Sequence, residues 1–350
     1  MKPRVVRAVR LGVIAVLLVG MLAYVRRVPW MPAIATMRHA SLALLVLALC
    51  LHFVALTGKA GIWWTFLRPL GGPRFTTVAR GTLMGATLNS LFVGSSGEAG
   101  RVLLMSRLTG IPSASVLATV VLERAVDLCG FLTLLACAVL LFPAPRALGI
   151  GASVVLGIVV VALAHWARGA PVGRHTAAPA ASHSVLGRCR RYVQRVVAST
   201  REIATTRRVA IAFALTLLDW CSELASYSLI AYAAHFPIGV RGSLLALLAV
   251  NVGFLVRVTP GNVGVFELVY ASVAHSLGFP TDVAIGVALM LHLVQDVPTT
   301  VLGLALGRRF FASSASETAR TDRPPDAARP PAALPSSTAP YMEPARGTSS

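Results

Sequence analysis

Gly94-Ser95-Ser96-Gly97-Glu98, followed by Gly110-Ile111-Pro112 and then by Glu123 and Asp127, is answered later in the chain by Gly264-Val265-Phe266-Glu267, Gly278-Phe279-Pro280, His292 and Asp296. From the first Glu of each set, the later ionisable positions fall 25 and 29 residues on (98 to 123 and 127; 267 to 292 and 296). Both sets interrupt strongly apolar sequence. Glycine, proline and ionisable residues at membrane depth are expensive and mark a polar path or site, and a doubled, glycine-broken element is how many carriers are built.

Composition points the same way. With 56% hydrophobic and 13% charged residues and a mean hydropathy of +0.73, the chain lies far from a soluble domain. The net charge of +19 does not indicate nucleic acid, because the Lys and Arg residues fill the polar gaps between apolar runs and no nucleic-acid motif accompanies them. Cys50, Cys129, Cys137, Cys189 and Cys221 contain no CxxC pair, so neither a disulfide framework nor a zinc site is indicated. No nucleophile elbow, phosphate-binding glycine loop or metal-ligand cluster is visible; the chain reads as a non-enzyme without cofactor or metal.

Leu11–Val25 behind Lys2, Arg4, Arg7 and Arg10 reads as an uncleaved signal-anchor helix, with cleavage the rival reading. Further spans are expected over 40–57, 113–142, 148–166, 209–234 and 283–306. Gly58–Arg80, with Lys59 and Trp63-Trp64-Thr65-Phe66, reads as an interfacial amphipathic segment. The runs 81–93 and 98–108, and later 243–258 and 265–277, are too short to cross alone, since a span takes about 20 residues, and read as two re-entrant helical hairpins. The expectation is an all-α polytopic membrane protein of about six full transmembrane helices plus these hairpins, with eight or more crossings as the alternative. Three regions follow: 1–39 as anchor helix and flank, 40–311 as the transmembrane domain with an Arg-rich loop over 167–208, and 312–350 as a disordered Pro/Ala-rich tail.

Basic residues set the orientation. Lys2 to Arg10, Lys59 to Arg80, the nine arginines of 167–208 and Arg308-Arg309 fall on one side, against Arg26, Arg27, Arg38, Arg146 and Arg241 on the other. Both termini are therefore expected in the cytoplasm. The first hairpin then dips from the cytoplasm and the second from outside, an inverted repeat of the kind used for alternating access.

The run Asn89-Ser-Leu-Phe-Val-Gly-Ser-Ser-Gly-Glu98-Ala-Gly-Arg101, then Glu123-Arg124-x-x-Asp127, then Pro260-Gly-Asn-Val-Gly264-Val-Phe-Glu267 resembles the membrane domain of bacterial lysylphosphatidylglycerol synthases and their stand-alone, flippase-like relatives. The resemblance covers roughly Ala40 to Arg309 and implies movement of a lipid between leaflets of the bacterial cytoplasmic membrane. It implies no synthase activity, which in fused members belongs to a separate soluble domain.

The site expected from these residues is a polar cavity for a lipid head group, anionic or zwitterionic. Helix starts at Ser96-Gly97-Glu98 and Gly264-Val-Phe-Glu267 offer unpaired N–H groups and a positive dipole end. Arg101, Arg124 and Arg257 would add phosphate contacts. Glu98 and Glu267 would cap the helices or pair with those arginines, with Glu98–Arg101 at i,i+3 the nearest ion pair. Gly261 and Gly264 shape the second turn. Glu123 with Asp127, and His292 with Asp296, share helix faces. The second pair has the makings of a proton relay, the first of a clasp between helices. Asp219 and Glu223 are expected to answer Arg124 or Arg257, or to titrate. The partner is membrane lipid, with a cell-envelope synthase possible; the alternative function is a non-transporting scaffold or lipid-binding protein of such a synthase.

Overall fold

The computed structural model describes residues 30–92, 96–141, 185–254 and 259–321, with residues 154, 157 and 161 between them. The anchor helix at 11–25, most of the 148–166 span, residues 167–184, Arg257 and the tail beyond Thr321 lie outside the described residues. Every regular element among the described residues is helical: α1 (Trp30–Arg38), α2 (Leu42–Gly71), α3 (Phe75–Leu91), α4 (Ser96–Thr109), α5 (Ser113–Leu141), α6 (Val185–Ile203), α7 (Thr206–Ala233), α8 (Gly239–Gly253), a 3₁₀ turn (Pro260–Asn262), α9 (Val265–Ser276) and α10 (Thr281–Thr321). Met1–Leu306 forms one compact unit and Gly307–Ser350 a second.

Among the described residues, three helices are long and apolar enough to cross a bilayer: Leu42–Gly71, Thr206–Ala233 and Thr281–Gly307. Helix α5 has the length but carries Glu123, Arg124 and Asp127. Outward faces are apolar, with Leu42 74%, Leu268 66% and Val301 61% exposed, as surfaces facing lipid rather than water must be. Two short helix pairs interrupt this pattern, α3 packed on α4 and α8 packed on α9.

Helix α2 packs along α7. Glycine makes that approach possible: a Cβ on Gly58 would stand 3.7 Å from the Leu215 carbonyl oxygen, and one on Gly61 3.3 Å from Leu215 Cδ1. Around this pair the core divides into three groups. The largest joins Trp220, Tyr227 and Ile230 of α7 to Leu247 of α8, Phe266 and Tyr270 of α9 and Leu291 of α10. A second joins Phe66, Leu122, Val126 and Ile203, and a third Trp63, Leu67, Val78, Met105 and Ile111.

Three sequence expectations are corrected. Gly58–Arg80 is not an interfacial segment: α2 runs through it to Gly71, and α3 begins at Phe75. Trp63 is fully buried, its indole N–H donating to Thr119 Oγ1 at 2.9 Å, and Phe66 is buried beside it. The apolar run was masked by Lys59, whose charge is met inside the protein. The Arg-rich stretch 167–208 is not all loop, since α6 forms within it and packs on α5 through Ser199–Ser115 at 2.9 Å, Val196 and Ile203. Finally, helix continues past residue 312 to Thr321, a stretch without Pro or Gly in which Ala, Glu and Arg favour helix and Ser and Thr do not.

Candidate functional site

The two short helix pairs approach each other near their turns. Gly261, in the turn before α9, has left-handed backbone (φ 60°), and a Cβ there would stand 3.3 Å from the Ser90 carbonyl oxygen at the end of α3. Between and around the tips lies a cavity of about 290 Å³, walled by α2, α3, α4, α5, α7, α8, the 3₁₀ turn, α9 and α10. That is near the lower end of ligand pockets, about 300–1,000 Å³, and suits a head group rather than a whole lipid.

At the first tip, the Gly97 N–H donates to Asn89 Oδ1 at 2.8 Å, so an Asn of the incoming helix caps the outgoing one. Glycine is required here, because a Cβ on Gly97 would collide with the Gly85 carbonyl oxygen and reach 2.5 Å from Asn89 Oδ1. Glu98, one residue on, accepts from Arg124 of α5 at 2.5 Å, and Arg124 also reaches Asp127 at 3.4 Å. Arg101 turns away from Glu98: it grips Glu123 through two contacts at 3.0 and 2.9 Å and lies 4.7 Å over the Trp63 ring. The expected Glu98–Arg101 pair is thus replaced by two pairs that cross from α4 to α5. Exposure separates their roles, since Arg101 and Glu123 are buried (5% and 9%) while Arg124 is half exposed toward the cavity (49%).

At the second tip, Glu267 accepts the Gly264 N–H at 2.7 Å and caps α9, as its spacing foretold. Its other oxygen accepts from His292 Nδ1 at 2.6 Å, and His292 Nε2 lies 3.4 Å from Asp296 Oδ2. Glu267 is fully buried and His292 nearly so, while Asp296 faces the cavity and receives a hydrogen bond from Ser90 Oγ at 3.4 Å. The two copies therefore share a plan. Glu98 meets α5 at Arg124, Glu267 meets α10 at His292, and the acid four residues beyond Glu123 or His292 borders the cavity.

Sequence reasoning missed Lys59. From the middle of α2 its ammonium reaches Glu223 at 3.0 Å and Asp219 at 3.6 Å; of the two arginines expected to answer those acids, Arg124 meets Glu98 and Asp127 instead, and Arg257 lies outside the described residues. The partners lie 160 or more residues downstream, so no local pattern could have signalled them. Asn262, Asn251, Gln295 and His52 complete the wall. The His52 Nε2–H donates to Thr299 Oγ1 at 2.9 Å, since that hydroxyl spends its own hydrogen on the Gln295 carbonyl.

Among the described residues, no group of three or more His, Cys, Asp or Glu side chains is placed to hold a metal ion. The profile of the family described as the lysylphosphatidylglycerol synthase TM region matches residues 7–303. The chain belongs to that family. Membership makes it the membrane domain of a lipid-handling family, in agreement with the apolar helices and the polar cavity among them. Among curated proteins, none matches this member of the family.

Proposed function

We propose that the protein is a lipid translocase, carrying the head group of a phospholipid or polyisoprenoid-phosphate-type lipid through the cavity while the acyl chains stay in the bilayer. One observation carries the reading: both hairpin tips, Ser90 and Gly261, abut at a cavity whose wall holds charged side chains from both halves of the chain. A site shared by two glycine-broken elements at membrane depth is what a carrier uses to face one leaflet and then the other. In this reading the chain crosses the bacterial cytoplasmic membrane about six times with both termini inside, and the hairpins enter from opposite faces as an inverted repeat.

The half-exposed Arg124 is the phosphate ligand in this reading, held in place by Glu98 and Asp127. Arg101 and Glu123 stay locked together and fix α4 to α5. Glu267 and His292 do the same for α9 and α10, leaving Asp296 to meet the polar or cationic part of the head group. No bond is made or broken in the lipid, so the protein acts as a carrier and not as an enzyme.

The test is leaflet exchange in vesicles containing the purified protein, read by quenching of labelled phosphatidylglycerol or polyisoprenyl phosphate with a membrane-impermeant reductant. Faster exchange than in protein-free vesicles, lost in Arg124→Ala, supports the reading. Exchange no faster than in protein-free vesicles for every lipid tried overturns it.

A further inference from the structure

Among the described residues, six carboxylates line the cavity (Glu98, Glu123, Asp127, Asp219, Glu223 and Asp296) against three permanent cations (Lys59, Arg101 and Arg124). In a chain of net charge +19 this inversion of sign is local and built in. Arg101 and Glu123 cancel one for one, and the Arg124 group is open enough for water to moderate its extra charge. The remaining group is different. Lys59 faces two acids, and Asp219, a residue of the cavity wall, is only 2% exposed, its Oδ1 without a hydrogen-bond partner among the described residues.

A buried carboxylate oxygen without a donor costs several kcal/mol, on the order of 2–7 for a polar group even before charge is counted, and in practice such a group takes up a proton or meets a cation. A metal ion would meet the Lys59 ammonium already seated between the two acids, and among the described residues no group of three or more His, Cys, Asp or Glu is placed to hold one. A proton needs one oxygen. The charged groups that act on Asp219 are Lys59 from α2, Asp127 from α5 and Glu223 one turn along α7, while His52, Arg124, Tyr227 and Asp296 line the same cavity. With one proton on Asp219 the Lys59–Asp219–Glu223 group is neutral. Lys59 lies about 18 Å from the C-terminal end of α2 at 1.5 Å per residue, well inside a helix long enough to cross a bilayer core of about 30 Å.

We infer that Asp219 is a proton-binding site, and that loading it couples the change of cavity access to the transmembrane pH gradient, one proton moving with each turn of the carrier. The inference rests on the translocase reading for its coupling, but the proton site stands or falls separately. When the cavity is open, Asp219 exchanges its proton with the adjoining water. An anionic head group in the cavity would stand beside the uncompensated carboxylate, so the lipid-loaded carrier closes only with Asp219 protonated, whereas the lipid-free carrier returns with the proton released, and one proton crosses with each lipid. Lys59 sets the stoichiometry by cancelling one of the two acids permanently.

The experiment uses the full-length protein in sealed phosphatidylglycerol–phosphatidylethanolamine vesicles carrying labelled phosphatidylglycerol. One proton per lipid shifts the steady-state leaflet ratio about tenfold for each pH unit across the bilayer. Asp219→Asn and Glu223→Gln each remove the excess charge and are expected to exchange lipid at a rate and ratio that ignore the gradient. A sodium gradient at equal pH is expected to do nothing. In parallel, infrared difference spectra across pH are expected to show a protonated-carboxyl band in the wild type that is missing from both variants. Wild-type exchange without any response to pH, a response to sodium instead, or a pH response that survives in Asp219→Asn overturns the inference while leaving the translocase reading intact. If the wild type exchanges no lipid, that reading fails, and the infrared band alone decides the proton site: its loss in Asp219→Asn supports it, its persistence overturns it.

Discussion

Replacing Glu123 by Leu strands the Arg101 guanidinium between α4 and α5, and replacing Arg101 by Met strands the Glu123 carboxylate. The two groups are 5% and 9% exposed and touch at 3.0 and 2.9 Å, so water cannot take over for a missing partner. A pair of unit charges about 4 Å apart gains about 4 kcal/mol at an effective dielectric of about 20. Breaking buried pairs from one side costs about 3–5 kcal/mol. Both routes put each single substitution at roughly 4 kcal/mol. The two are not equivalent. After Glu123→Leu the guanidinium keeps its seat 4.7 Å above Trp63, worth about 0.5–2 kcal/mol, whereas after Arg101→Met the carboxylate keeps nothing of the kind. Arg101→Met is therefore expected to be the more damaging by about 1 kcal/mol. The double variant replaces the pair with apolar groups of similar length and is expected to be more stable than either single. Unfolding free energies from steric trapping in lipid bicelles measure all four corners of the cycle. If either single costs under about 1 kcal/mol, or the double costs the sum of the two, the pair is not the buried clasp inferred here.

Gly97→Ala forces a methyl against the Gly85 backbone and Asn89, with no flexible side chain able to yield at the carbonyl; a loss of about 1–3 kcal/mol or more is expected, read as a drop in thermal unfolding temperature, and an unchanged temperature would refute the close approach. Glu267→Gln keeps the size of a fully buried cap but weakens the bonds to Gly264 N–H and His292, and is expected to cost about 1.5–3 kcal/mol in the same assay; a loss below about 0.5 would contradict it. Cysteines at Ser90 and Gly261 are expected to cross-link under mild oxidation despite the strain of a side chain at a φ of 60°, and failure to do so would separate the tips. Impermeant thiol reagents are expected to label Thr109→Cys and Ser276→Cys from opposite sides of the membrane, and labelling from one side would dismantle the inverted arrangement.

What could be read in the sequence was local. Glu98 and Glu267 announced themselves as first-turn acids after glycine turns, and both begin short helices in the structure. The ends of α5, α7 and α9 fall within a few residues of the apolar runs that foretold them. Charges were legible as positions and illegible as pairs. Glu98 and Arg101 sit at a spacing that suggests a bond within the helix, yet the packing of Trp63 and Glu123 turns Arg101 inward and hands Glu98 to Arg124. Lys59 was misread for the same reason, since one cation in an apolar run looks like the end of a span until its acids on α7 are in place. Hydropathy averages what a side chain would cost alone, and tertiary pairing removes that cost.

The approach of Gly261, in the turn before α9, to the Ser90 carbonyl oxygen at the end of α3 leaves less than a methyl's clearance, so neither segment can advance on the other without that one giving ground. In the carrier reading proposed above, an inward push on one of these segments is passed directly to the other half of the chain, because no compressible side chain lies between the two backbones.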